Sequence, residues 1–170
     1  MSDSKLRILL IGAHPDDHAD HRNTSLLVQD VSYLLRVPGF APDTPALEYE
    51  PYVMFFRDSF KKPPFQADVV IAIDETFETK VKMMACHRSQ YFDWLPWIDG
   101  ILNRVPEGEE AQDAWLRESC GHSDVAEQYR EQLQTRYGDE APQIEHCEAY
   151  EASEYGARLD EEAIAKLFPL

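Results

Sequence analysis

Ten residues near the start of the chain, Ala13-His14-Pro15-Asp16-Asp17-His18-Ala19-Asp20-His21-Arg22, carry three of its six histidines and three aspartates. Imidazole and carboxylate are the donor set of a catalytic zinc site, which takes three such protein ligands and leaves a position for water. His14, Asp17, His18 and His21 offer donors at spacings of three, four and seven. One straight helix would set His14 and His21 roughly 10.5 Å apart along its axis, with both side chains leaning the same way. The segment must therefore bend to bring them to one ion, and Pro15 suits a loop or a first helical turn. A hydrolase also needs a base for the proton of the attacking water and a donor for the oxyanion that forms. Asp16 is a carboxylate beside the ligand candidates, and a histidine not used in ligation can be the donor. Capping of a helix N-terminus explains one such residue; six in one loop point to a metal hydrolase site.

The elements that must position this cluster can be read around it. Leu6-Arg7-Ile8-Leu9-Leu10-Ile11, closed by Gly12, is an apolar run that suits a strand covered on both faces, with the cluster as the loop at its carboxyl end. From Asn23-Thr24-Ser25, which supplies N-cap chemistry, Leu27, Val31, Leu34 and Leu35 recur at helical spacing until Pro38-Gly39. Prolines 38, 42, 45 and 51 mark an ordered connector with Phe40, Leu47 and Tyr49 interleaved. Tyr52–Phe56 and Val69–Ile73 read as strands, and Asp74 or Thr76 can cap a helix through Val81, Met84 and Ala85 toward His87. Beyond Trp97 the chain turns polar, with helical stretches around Ala111–Leu116 and Val125–Tyr137, the latter ended by Gly138. His146–Tyr150 reads as a short edge strand, and Asp160 begins a terminal helix. Tyr91, Phe92, Trp94 and Trp97 either line a sugar pocket or pack a core, and Cys86 is expected in core packing.

At 170 residues the chain is expected to form a single domain over 1–170, with an acidic helical part from about residue 101. Thirty-two acids against sixteen Lys and Arg give a net charge of -16, which argues against nucleic-acid and anionic-lipid partners. Cys86, Cys120 and Cys147 form neither a disulfide framework nor a zinc knuckle, so the expected setting is a reducing cytoplasm. No run is long enough to span a bilayer, and Met1-Ser2-Asp3-Ser4 lacks a basic leader region.

Ala13-His14-Pro15-Asp16-Asp17 resembles the AHPDD signature of the LmbE-like deacetylases, the family of the GlcNAc-phosphatidylinositol (PIG-L) de-N-acetylases. A second family signature, HPDHR followed by a helix, is similar to His18-Ala19-Asp20-His21-Arg22, with Ala19 in place of the proline. Further similarity lies in 37–43, in 68–74, in the segment from Lys82 that ends His87-Arg88-Ser89-Gln90, and weakly in Ala152-Ser153-Glu154-Tyr155-Gly156.

The resemblance implies zinc, or another divalent metal, on His14, Asp17 and His21, with Asp16 as general base. It makes His18 the imidazolium that stabilises the tetrahedral intermediate or protonates the leaving amine, with Asp20 orienting it. Arg22, His87 and Gln90 become substrate-side residues. The implied reaction removes an N-acetyl group from an N-acetylglucosamine-type sugar or conjugate. The implied fold is α/β, a truncated Rossmann-like, mostly parallel sheet with flanking helices. In the family, several strand–helix units separate the two signatures, whereas here they abut at 17–18, so something like two units of upwards of about 30 residues are missing. A sheet shortened in this way has an open edge that tends to pair with another chain, so a homo-oligomer is one of the states the sequence leaves open. The alternative is a catalytically inactive truncated member that acts as a weak metal-binding or interaction module.

Overall fold

The computed structural model describes residues 8–10, 18–57, 65–120 and 126–169, with side chains from Asn23 onward except that of Cys120. The chain is mixed α/β, with six α-helices among the described residues. Strands β1 (Ile8–Leu10), β2 (Tyr52–Phe56), β3 (Val69–Ala72) and β4 (Cys147–Ala152) hydrogen-bond in the order β1-β2-β4-β3. The β1–β2 pair is parallel, with Ile8 opposite Tyr52, and β2–β4 is antiparallel, with Phe56 opposite Tyr150. The β3–β4 ladder is antiparallel too, since Asp68 pairs with Tyr150 while Ile73 pairs with His146. The mostly parallel, Rossmann-like sheet expected from the sequence is therefore not what the described strands form. The reason is β4, which enters between β2 and β3 and runs against both; read as an edge strand, it is central.

The chain falls into two compact units, 1–69 with 149–170, and 70–148. In the first, Val53 and Met54 of β2 are buried, as are Ala149 and Tyr150 of β4. Tyr150 is flanked by Phe56, with ring centroids 5.2 Å apart, and by Phe168 at 6.0 Å. Helix α1 (His18–Leu34) begins five residues before the expected cap at Asn23, and the chain leaves it through turns up to Phe40. Its expected apolar core face is not the buried one: Ser32 is buried, while Leu27 and Leu35 are exposed. Gly156 has φ +109°, and a Cβ there would lie 2.5 Å from the Pro51 carbonyl oxygen, so only glycine fits. Past that turn Asp160 caps the terminal helix, its carboxylate accepting from the Ala163 N–H at 2.9 Å, as the sequence predicted. This helix, Glu161–Leu167, is α6.

The second unit is built on α2 (Phe77–Ala85) and α4 (Glu109–Cys120). Phe77, Val81, Phe92 and Leu116 form its buried core, with Ile73, Met84, Tyr91 and Trp115 packed around them. Neither Asp74 nor Thr76 caps α2 with its side chain; the Thr76 hydroxyl donates to the Ile73 carbonyl instead. Between these helices lie a π-helical segment, Ser89–Trp94, and the single turn α3 (Leu95–Ile98). Helix α5 (Arg130–Tyr137) follows and ends at Gly138, with φ +55°, where the sequence places its stop. Arg130 donates to the Ala141 carbonyl at 2.6 Å, and the Ala72 N–H donates to the Tyr137 hydroxyl at 3.0 Å.

A bidentate pair joins α4 to α2, with Arg117 Nε and Nη2 2.6 and 2.7 Å from the Glu78 carboxylate oxygens. That hydrogen bonding holds the Glu78 carboxyl below its ordinary value of 4.5. Because the folded value is the lower one, the pair's contribution is present above pH 4.5 and fades as pH falls through the folded value. In thermal melts, Glu78→Gln is expected to fall below wild type at pH 7 and to converge with it on acidification. A gap that widens in acid would contradict this sign.

Candidate metal centre

The apolar run ends as β1 at Leu10, and a 17-residue helix begins at His18, so seven residues join the carboxyl end of a strand to the N-terminus of a helix. In open α/β sheets, ligands bind beyond the carboxyl ends of strands, and helix N-termini favour anions and carboxylates. His14, Asp16 and Asp17 lie on that connection, outside the described residues. His18, Asp20, His21 and Arg22 occupy the first five positions of α1 together with Ala19, and their side chains lie outside the description as well. The second signature is therefore helical from its first residue. The expectation that the whole cluster is a loop is corrected to that extent. A helix start at His18 follows two carboxylates in sequence, the residue type its positive end favours.

His87 and Gln90 belong to the second unit. His87 is exposed; its N–H donates to the Met84 carbonyl at 2.9 Å, and its own carbonyl accepts from the N–H groups of Gln90 and Tyr91. Gln90 is half-buried in the π-helical segment, a kind of widened turn that recurs at functional sites. Arg88 is fixed between them: its guanidinium donates to Gln112 Oε1 at 2.7 Å and lies 5.2 Å from the Phe92 ring centroid. Of the nearby aromatic residues, Phe92 is core and Tyr91 packs against it, while Trp94 and Trp97 are exposed. The core-packing expectation holds for two of the four. Cys86, also expected in the core, is exposed, with its thiol 3.4 Å from the Lys82 carbonyl.

One polar cluster escaped the sequence reading. Asp74 Oδ1 accepts from the backbone N–H groups of Glu145 and His146, at 3.2 and 2.9 Å, and lies 2.9 Å from His146 Nδ1. The Phe77 ring stacks on the imidazole, with centroids 3.6 Å apart. Asp74, read as a helix cap, instead clamps the chain entering β4, and two residues 72 positions apart give no local signal of such a contact. Among the described residues no group of three His, Cys, Asp or Glu side chains is placed to hold a metal ion. No described helix is long and apolar enough to cross a membrane. No protein-family model matches the chain, and no solved structure matches it.

Proposed function

We propose that the chain is a shortened LmbE-like deacetylase, a cytoplasmic zinc hydrolase that removes the acetyl group from an N-acetylglucosamine-type sugar or conjugate. On this reading its sheet is the remnant of a Rossmann-like one. The observation that carries the reading is the passage from β1 to α1. His14, Asp16 and Asp17 fall on one seven-residue connection, and His18, Asp20 and His21 on the helical turns directly after it. The donor chemistry fits the metal: His14, Asp17 and His21 supply two imidazoles and one carboxylate, a complement suited to catalytic zinc and acceptable to other divalent ions. A cation held there supplies Lewis acidity toward the acetamide carbonyl and the attacking water.

The chain's own residues supply the rest. Asp16 accepts the proton of the water as its oxygen forms a bond to the amide carbon. His18, as imidazolium, hydrogen-bonds the developing oxyanion or passes its proton to the departing nitrogen, and Asp20 keeps the ring in position. The C–N bond breaks to give the free amine and acetate. Arg22 serves the sugar side.

Metal-stripped protein titrated with zinc is expected to take up one equivalent with a rise in Tm, and His14→Ala to abolish both. Binding that is absent, or unchanged in the variant, would leave the other reading, which the abutting signatures favour: an inactive, truncated family member acting as an interaction module.

A further inference from the structure

We draw no further inference here: the strongest candidate, the Asp74–His146 cluster between the end of β3 and the start of β4, is engaged in holding the chain to itself, and among the described residues no third side chain joins it to hold a metal ion.

Discussion

Asp16→Asn is expected to lower hydrolysis of an N-acetylated amino sugar by roughly a thousandfold while one equivalent of zinc still binds. Asparagine matches aspartate in size and still offers an oxygen, but an amide does not take up the proton released by water at neutral pH. On the proposed reading the loss is therefore confined to proton transfer, whereas His14→Ala should remove a ligand and forfeit metal and turnover together. Retention of activity within a few-fold of wild type would remove Asp16 from the role of base. Loss of zinc in Asp16→Asn would move it among the ligands.

Phe77→Ala should be the most damaging single truncation in the second unit, costing about 4 kcal/mol of unfolding free energy. The ring is 5% exposed, sits among Val81, Phe92 and Leu116, and stacks on the His146 imidazole. Its removal leaves a void in the core and withdraws the surface that holds the imidazole beside Asp74. Met83→Ala on the same helix is a fair control, since its side chain is largely in water and truncation there should change stability by no more than about 0.5 kcal/mol. Urea unfolding of both variants in the full chain measures the contrast. A cost below about 1 kcal/mol for Phe77→Ala would mean that the core closes over the gap, contrary to this packing.

The parts of the fold legible in the sequence are those set by local chemistry. Tyr52–Phe56 and Val69–Ala72 are apolar, β-prone runs bounded by turn residues, and both are strands. Asp160 caps its helix and Gly138 ends another, as short-range backbone hydrogen bonding dictates. What escaped depends on distant partners. The alternation in Cys147–Ala152 shows a strand but not its neighbours, and two flanking strands make it central. Leu27 and Leu35 carry the apolar periodicity of α1, yet the interior takes Ser32, because a repeat of 3.6 residues marks a stripe without saying what covers it. The π-helical turn at Ser89–Trp94 has no residue signature at all. Of the candidate centre the sequence offers residue types and order, and His14, Asp16 and Asp17 lie outside the described residues; a strand precedes them and a helix follows, its first residue earlier than the capping signal at Asn23 implied.

The central position of β4 also governs when this protein can fold during synthesis. Strand β2 emerges from the ribosome about 90 residues before the strand that fills the middle of the sheet, and β3 must wait for the same partner. Until then a nascent chain holds apolar strands with unpaired backbone edges, the state most open to aggregation and to chaperone capture. Emergence of β4 is thus the step at which the sheet closes, and slowed translation of the segment that encodes it should prolong that exposure.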